Sequence, residues 1–359
     1  MQFMRKTWFV LMCIMIIFLV ACKQDDTTTQ SAEETTQTSE QASNVVQVAA
    51  PIEDPFNELQ QTAVEFFKNN PMKSMTAKEV FEKVILNHNP NYVVVDVRDN
   101  ATFAKGNIEG SINIPYGQTA DQNQIKNLPT DKTIIVVCFS GHTASQTAAF
   151  WSLLGYDAVP MINGMGGWTS DKELGVPIPA AAFDFATETT EVTTKEYTLP
   201  QIDTTTATNL NELVIERSNQ YLQAGKPPVV SAKALNEVMS SQDTSMQIID
   251  IRQSSDYKKG HIQGAISIPF NSLGEQLTKI ALDKKIVLVD YNGHLASEAV
   301  RILNMLGYDA YALKDGMRVW TSNADINGIA PISMDKIYNY PTKTINAYLD
   351  AEPGEASCG

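Results

Sequence analysis

The sequence predicts an α/β protein in which one unit occurs twice, each copy with a mostly parallel central sheet and helices on both faces. Two observations lead to this prediction. The chain matches itself at a shift of 152 to 155 residues, which indicates an internal repeat. In each copy, short apolar runs rich in β-branched residues alternate with helical stretches, as in a parallel sheet covered on both faces. The matched positions are Thr76 and Ser231, Asp96 and Asp250, Arg98 and Arg252, Pro115 and Pro269, and Trp168 and Trp320.

Capping residues and apolar runs predict the elements of the first copy. Asp54 can cap a helix from Pro55 to about Lys68. Thr76 and Glu79 form a capping box for a helix that runs to about Leu86. The apolar runs predict strands at Tyr92 to Val97, Ile112 to Ile114, Thr133 to Val137 and Ala158 to Met161.

The second copy repeats this order. Asn209 can cap a helix that ends before Gly225. Strands are predicted at Gln247 to Ile251, Ile266 to Ile268, Ile286 to Val289 and Ala310 to Leu313. Between the copies, the Thr-rich stretch 181–208 is either an extended strap over one copy or a loose linker. By position, Lys336 to Tyr348 is expected to be the equivalent strap of the second copy.

Composition allows two domains and argues against nucleic-acid binding. The chain has 359 residues, of which 43% are hydrophobic and 19% charged, as is ordinary for globular proteins. Its formal charge of −14, from 41 acidic and 27 basic residues, offers no basic surface to nucleic acid or to anionic lipid.

The N-terminus predicts a secreted, lipid-anchored protein. Arg5 and Lys6 precede an apolar segment from Trp8 to Val20, which at about 13 residues is too short to span a bilayer but suits a secretory signal. The run Leu19-Val20-Ala21-Cys22 resembles a bacterial lipobox, which implies cleavage before Cys22 and acylation of its thiol. An ordinary signal peptide or an uncleaved anchor is the alternative.

A polar tether follows the expected lipidation site. Residues 22–50 are rich in Thr, Gln and Ser and lack the apolar side chains that a folded core needs. With a lipid on Cys22, this stretch would hold the folded part at a bacterial membrane, in the cell envelope and outside the cytoplasm. Cys358 lies in the polar C-terminal tail, 350–359, and the sparse cysteines form no disulfide framework.

The run from Thr133 through Cys138 to Ser145 is the candidate site. A buried strand should deliver Cys138 to its C-terminal end, where ligands bind in open α/β sheets. Gly141 allows a tight reversal, and a helix beginning near Thr143 or Ala144 would direct unpaired backbone N–H groups at the sulfur. Such donors favour the thiolate, which is a nucleophile. An inert core cysteine is the alternative, but a core thiol does not require this glycine loop.

These motifs resemble the rhodanese family of sulfurtransferases in tandem form. The resemblance rests on Asp96-Val-Arg98, on the stretch from Phe103 to Pro115, on the Cys138 loop, and on Leu154-Gly-Tyr156 and Gly164-Met165-Gly-Gly-Trp168. It implies an active rhodanese domain at 51–180 and an inactive one at 209–349. The signal peptide at 1–21, the tether at 22–50 and the strap or linker at 181–208 lie outside these domains.

The resemblance also implies a reaction. Cys138 would take sulfane sulfur from thiosulfate or a persulfide, hold it as a persulfide, and pass it to cyanide or a thiol. No cofactor or metal is expected, and the partners are these small molecules together with the membrane through the anchor. The loop residues expected to bind substrate are Phe139, Ser140, Gly141, His142, Thr143 and Ala144.

The sequence departs from the family pattern at Thr143, at Asp290 and at Asn107. Asn107 follows Gly106 where the family usually has Gly-His, a pair that Gly260-His261 retains, so His261 is expected to be structural. Thr143 stands where many rhodaneses have an arginine, so the guanidinium fork for an oxyanion donor is absent. His142 could supply charge when protonated, although a loop-shaping role is equally consistent with its match, His294. Asp290 stands in the place of Cys138, so the second copy should be catalytically silent, its carboxylate filling the anion position.

Three other functions remain as alternatives. The first is a non-catalytic carrier or binding module for sulfane sulfur, which the absence of arginine keeps open. The second is a phosphatase of the related cell-cycle type, which needs a longer loop and an arginine to grip phosphate. The third is a surface interaction scaffold in which both copies are inactive.

Overall fold

The computed structural model describes residues 49–70, 73–202, 204–328 and 337–345, and its first unit has the predicted α/β architecture. Helices in this unit are α1 (Pro55–Asn69), α2 (Ala77–Val80), α3 (Asn100–Lys105), α4 (Gln122–Ile125), α5 (His142–Leu153) and α6 (Gly164–Trp168). Strands are β1 (Tyr92–Asp96), β2 (Ile112–Asn113), β3 (Thr133–Val137) and β4 (Ala158–Pro160). The strands form a parallel sheet in the order β2-β1-β3-β4.

The second unit repeats the design with one more strand in the sheet. Helices here are α7 (Leu210–Gln223), α8 (Ala232–Ser240), α9 (Ser254–Lys259), α10 (His294–Met305), α11 (Met317–Trp320) and α12 (Ala324–Asn327). Strands are β5 (Thr187–Glu188), β6 (Val229–Val230), β7 (Met246–Asp250), β8 (His261–Ile262), β9 (Ile266–Ser267), β10 (Lys285–Val289) and β11 (Asp309–Leu313). The parallel sheet has the order β6-β11-β10-β7-β9, and β5 pairs with β8 in an antiparallel ribbon.

Several sequence predictions lie outside the described residues. They are the signal segment, the acylation position Cys22, nearly all of the tether and the tail that contains Cys358. Among the helices that the structure describes, none is both long enough and apolar enough to cross a bilayer.

Local capping determines where the helices begin, as predicted. Asp54 Oδ1 accepts the N–H of Asn57 at 3.1 Å and so caps α1. In the capping box, Thr76 Oγ1 accepts the N–H of Glu79 at 3.2 Å, while Glu79 Oε2 accepts the N–H of Thr76 at 3.0 Å. These bonds satisfy first-turn N–H groups that have no partner within the helix.

The helix expected to reach Leu86 ends earlier. It is α-helical only to Val80, and Phe81–Ile85 form a π-helical turn. In this turn the Phe81 ring stacks on Tyr340, with ring centroids 3.9 Å apart. The partner comes from the end of the chain, so the local pattern gave no sign of this turn.

The two units share one apolar core. Helices α5 and α10 lie against each other at the centre, so each covers a sheet and contacts the other unit. One continuous cluster of buried side chains contains residues of both units, among them Ile134, Phe150, Trp151, Ile249, Leu288 and Leu303. Each unit therefore depends on the other to bury part of its apolar surface, while a further buried cluster lies within each unit.

The leading helix of each unit reaches into the opposite unit. In α1, which comes first in the chain, Phe67 packs edge-on against Phe270 of the second unit at 5.1 Å between centroids. In α7, Asn219 Nδ2 donates to the Ala120 carbonyl of the first unit at 3.0 Å. Helix α1 therefore lies on the second unit, whereas α7 contacts both units, since Arg301 of α10 also donates to Ser218 of α7.

The straps are exchanged between the two units. The stretch after the first unit lies along the second unit, where the Phe185 N–H donates to Trp320 O at 2.9 Å and β5 pairs with β8. Residues 183–188 of this stretch are therefore a strap on the second unit. The segment 337–345 lies on the first unit, where the Tyr340 N–H donates to Trp168 O at 3.0 Å. The segment after the second unit is thus equivalent to the first strap, and it lies on the first unit.

Each strap covers a tryptophan of the unit on which it lies and accepts a hydrogen bond from its indole N–H group. Trp168 Nε1 donates to Pro341 O, and Trp320 Nε1 donates to Ala186 O, each at 3.0 Å. Tyr340 covers Trp168 at 5.1 Å between ring centroids, and Phe185 covers Trp320 at the same distance. Each indole thereby obtains both an apolar cover and an acceptor for its N–H group.

We expect Tyr340→Ala to lower the free energy of unfolding by about 2 kcal/mol. The substitution removes a half-buried aromatic ring and so exposes the rings of Phe81 and Trp168 that it covers. Urea denaturation measures the loss. The matched control is Tyr338→Ala in the same strap, where the tyrosine is 38% exposed. Equal small losses in both variants would contradict a stabilising role for this contact.

Candidate active site

The Cys138 sulfur lies where two backbone amides converge. Strand β3 ends at Val137, and the next residue, Cys138, opens the loop that leads into α5. The N–H of Gly141 donates to Cys138 Sγ at 3.0 Å, and the N–H of Ala144 donates to the same atom at 3.4 Å. Gly141 can complete this turn because its φ is +93°, a region that glycine adopts without strain. Two backbone N–H groups are therefore directed at the sulfur atom.

The loop is held from behind by α6 and the chain that follows it. The N–H of Met165 donates to Cys138 O at 2.8 Å, and the N–H groups of Gly166 and Val176 donate to Phe139 O at 3.1 and 3.0 Å. Gly164, at a φ of +51°, approaches so closely that a Cβ there would lie 2.2 Å from Cys138 O. The carbonyl groups of the loop therefore face the protein body and leave its amide groups to face the sulfur.

The predicted substrate-binding residues differ in exposure. Cys138 is only 2% exposed, and the neighbouring loop residues Gly141, His142 and Ala144 are also buried. Partly exposed loop residues are Phe139, Ser140 and Thr143.

His142 does not direct its side chain at the sulfur. Its Nδ1 lies 3.0 Å from Ser297 Oγ and 3.2 Å from Gly293 O, both in the second unit. Burial lowers the pKa of His142 to about 4, so the imidazole is neutral at pH 7. The suggestion that a protonated His142 supplies charge to a donor is therefore wrong, and the loop-shaping alternative is the one that fits.

In the second unit, a carboxylate replaces the sulfur. The N–H of Leu295 donates to Asp290 Oδ2 at 2.9 Å, and the N–H of Gly293 donates to Asp290 Oδ1. Asp290 thus fills the position that the sequence assigned to it. Burial nevertheless raises its pKa to about 6, because the amide donors offset only part of the cost of removing the charge from water.

A second buried acid, Glu298, was missed by sequence reasoning. It lines a cavity of about 240 Å³ together with Asp290 and His294, at the boundary between the two units. Asn70 Nδ2 donates to Glu298 Oε2 at 2.7 Å, and burial raises the pKa of Glu298 to about 8. The one available signal was the repeat, which aligns Glu298 with Gln146, a neutral residue of the same shape.

Asp96 and Arg98 form an ion pair at the end of a strand. Arg98 Nη2 lies 2.5 Å from Asp96 Oδ2, and both side chains are buried. The guanidinium also donates to the carbonyl groups of Leu174 and Gly106 at 2.8 and 2.7 Å. The pair therefore ties two loops to the sheet, and Asp250 with Arg252 repeats it in the second unit.

His261 has the structural role expected of it. Its Nδ1 lies 2.8 Å from Tyr257 O, and its ring stacks on that of Tyr257 at 3.6 Å between centroids. Within the described ranges, no group of three or more His, Cys, Asp and Glu side chains is placed to hold a metal ion.

Both units match the family model described as rhodanese-like domain, over residues 82–171 and 231–323. These segments make up about half of the chain, and each contains one of the two matching loops.

Individual relatives cover smaller parts. The chain is 31% identical over 84 residues to the thiosulfate sulfurtransferase GlpE of Shewanella oneidensis, a match that covers 23% of this chain and 83% of that protein. It is 26% identical over 103 residues to the putative sulfur carrier protein YrkF of Bacillus subtilis, covering 28% of this chain and 55% of the relative. A solved thiosulfate sulfurtransferase from Pseudomonas aeruginosa aligns with 78% of this chain and 49% of that one, at 19% identity and a TM-score of 0.27.

We expect Glu298→Gln to stabilise the protein relative to wild type, and we expect this gain in the free energy of unfolding to be larger at pH 8 than at pH 5. The folded state holds the Glu298 proton up to about pH 8, whereas the unfolded chain loses it near pH 4.5, so rising pH destabilises wild type across this window. The variant, whose side-chain amide still offers Asn70 an acceptor, should gain about 2 kcal/mol at pH 8. Urea denaturation at pH 5, 6.5 and 8 measures the gain.

The control is Glu275→Gln, which removes an exposed carboxylate from the same unit. Its stability should run parallel to that of wild type between pH 5 and pH 8. A constant difference between Glu298→Gln and wild type over the same range would contradict the raised pKa.

Proposed function

Because the chain belongs to the family of rhodanese-like domains, we propose that it is a sulfurtransferase that carries sulfane sulfur as a persulfide on Cys138. The donor would be thiosulfate or a thiol persulfide, and the acceptor a thiophile such as cyanide or a thiol. One observation carries this proposal: the two amide donors at 3.0 and 3.4 Å from the Cys138 sulfur. The relative named as a thiosulfate sulfurtransferase supports it.

The proposed reaction has two steps that balance. The Cys138 thiolate attacks the outer sulfur of thiosulfate, a new S–S bond forms, and sulfite leaves with the electron pair of the bond that breaks. Cyanide then attacks the terminal sulfur of the persulfide, thiocyanate leaves, and the electron pair of the S–S bond returns to Cys138 as a thiolate. The amides of Gly141 and Ala144 would hold the negative charge at both stages.

Exposure suggests how the donor reaches the sulfur. The buried side of the loop faces the second unit, so the donor would enter past Phe139, Ser140 and Thr143, which are partly exposed. Thr143 can donate one hydrogen bond but lacks the two-pronged charge that an arginine presents to an oxyanion. We therefore propose that a thiol persulfide is a better donor than thiosulfate.

The second candidate is a sulfur carrier that hands its sulfane sulfur to a partner without rapid turnover. The 2% exposure of Cys138 favours it, because a closed site slows the exchange of small donors and acceptors. The relative named as a putative sulfur carrier protein supports it as well. A carrier would gain one sulfur per chain and release it slowly, whereas an enzyme would turn over many times.

We also propose that the protein is anchored by a lipid on Cys22 and faces outward from a bacterial membrane. The support is the sequence itself: a short apolar segment, the run Leu19-Val20-Ala21-Cys22, and the polar tether that follows. In that location the folded part would meet donors and acceptors outside the cytoplasm.

For the persulfide, we expect the peptide that contains Cys138 to gain about 32 Da, one sulfur atom, after the full-length protein is incubated with glutathione persulfide. Cyanide should remove the added mass and release thiocyanate. Mass spectrometry of the digested protein and a colorimetric thiocyanate assay measure the two results.

Cys138→Ser should abolish both signals, and Cys358→Ala, which removes a thiol far along the sequence, should keep them. Repeated thiocyanate release would support the enzyme, and one equivalent per chain would support the carrier. If neither glutathione persulfide nor thiosulfate added mass to the peptide, both the enzyme and the carrier proposals would be rejected.

For the anchor, we expect the wild-type protein expressed in bacteria to partition into the detergent phase of Triton X-114, because two acyl chains hold a protein firmly in a bilayer. Cys22→Ser should move to the aqueous phase or keep its signal segment. Cys13→Ser, which changes a cysteine inside the apolar segment, is the control and should partition like wild type. Identical partition of Cys22→Ser and wild type, with the same N-terminus, would contradict lipidation.

A further inference from the structure

The two loops face each other and exchange histidine side chains. The rings of His142 and His294 stack 5.3 Å apart and are inclined by only 13°. His142 extends from the loop with the sulfur to Gly293 of the opposite loop, and His294 extends from the silent loop to Gly141. Each loop is therefore in contact with a histidine side chain from the other unit.

The imidazole of His294 packs directly against Gly141 on the side that faces the second unit. A Cβ added to Gly141 would lie 2.1 Å from His294 Cε1, so the imidazole lies directly against the glycine Cα. The same Cβ would lie 3.0 Å from the backbone nitrogen of Asn163. The Gly141 peptide is thus confined between the imidazole and the turn at Asn163.

Hydrogen bonds attach His294 to both segments that surround the sulfur. The N–H of Asn163 donates to His294 Nε2 at 3.3 Å, which assigns the ring proton to Nδ1. That Nδ1–H group donates to Ser145 Oγ at 3.3 Å, and the Ser145 hydroxyl donates to Gly141 O at 2.9 Å. A continuous chain therefore runs from the turn at Asn163 through His294 to the Gly141 peptide.

We infer that His294, from the loop that has no nucleophile, is a positioning residue for Cys138. It fixes the Gly141 peptide so that its N–H group stays directed at the sulfur 3.0 Å away. It also fixes the turn at Asn163, whose neighbour Gly164 lies against Cys138 O. This inference rests on the proposed function only in taking Cys138 as the nucleophile.

The effect is one of geometry and not of charge. Burial lowers the pKa of His294 well below its usual value near 6.5, so the ring is neutral at pH 7 and its Nε2 is free to accept a hydrogen bond. The reciprocal contact of His142 acts on the silent loop, where a carboxylate already fills the amide cradle. Of the two exchanged histidines, His294 is the one that bears on the nucleophile.

The test measures the reactivity of Cys138 itself in the full-length protein. Iodoacetamide alkylation is followed from pH 5 to pH 10, and the peptide that contains Cys138 is quantified by mass spectrometry, which separates it from the other cysteines. For His294→Leu we expect the pH midpoint of alkylation to rise by about one unit, since a hydrogen bond to a charged group weakens. The rate at pH 6.5 should then fall about tenfold.

Two further variants separate position from stability. His294→Gln keeps an acceptor for the Asn163 N–H and should hold the midpoint within about 0.3 units of wild type. His261→Leu makes the same substitution at a buried histidine of the same unit that does not contact the loop. It should lower the melting temperature without moving the midpoint. The charged groups that act on the histidine pair, Asp315, Lys314 and Arg318, are unchanged in every variant.

A His294→Leu protein that melts earlier but keeps the wild-type midpoint would overturn the inference. If that variant does not fold, Ser145→Ala decides, because it removes only the hydroxyl that links His294 to Gly141 O. An unchanged midpoint in Ser145→Ala would then count against the inference, and a raised one would support it.

Alkylation reports on the thiolate whether or not sulfur is transferred. A raised midpoint in His294→Leu, combined with no persulfide on wild type, would therefore support the positioning role and reject the proposed function.

Discussion

Backbone N–H groups that converge on one buried point require an acceptor there, and the rest of this structure depends on that requirement. In the first loop the acceptor is the Cys138 sulfur, and in the second it is the Asp290 carboxylate. An unpaired buried donor costs about 1 to 3 kcal/mol, so neither loop could keep its shape with an apolar residue in that position. The replacement of a sulfur by a carboxylate preserves the cradle and removes the nucleophile. The second loop can therefore serve as a structural partner for the first.

Much of the fold could be predicted because its causes are local. A buried β-branched run defines a strand, and a cap lies three residues from the N–H that it accepts. The ion pair of Asp96 with Arg98 joins residues two apart at the end of a strand, and the repeat shows that the second loop has the shape of the first. Even the carboxylate in the second cradle follows from the sequence, because the loop amides need an acceptor.

The remaining features depend on how the two units dock, which periodicity does not contain. The sequence places His142 four residues after Cys138, which suggested a role beside the sulfur. In the structure its side chain instead contacts Ser297 of the second unit. Glu298 lies on α10, and its carboxyl group is buried only because α5 and the residues near Asn70 pack against it. Phe81 of the π-helical turn stacks on Tyr340, which is more than 250 residues later in the chain. In each case the partner is distant in sequence.

The exchanged straps have a consequence for synthesis. The chain is made from the N-terminus, yet Trp168 receives its cover and its acceptor from residues 340 and 341. At a translation rate of 5 to 20 residues per second, the ribosome needs roughly 10 to 35 seconds to make the intervening chain. During that interval Trp168 of the first unit lacks both the ring that covers it and the acceptor for its indole N–H group. Residues 340 and 341, which are made after the second unit, therefore complete the half of the molecule that contains the nucleophile.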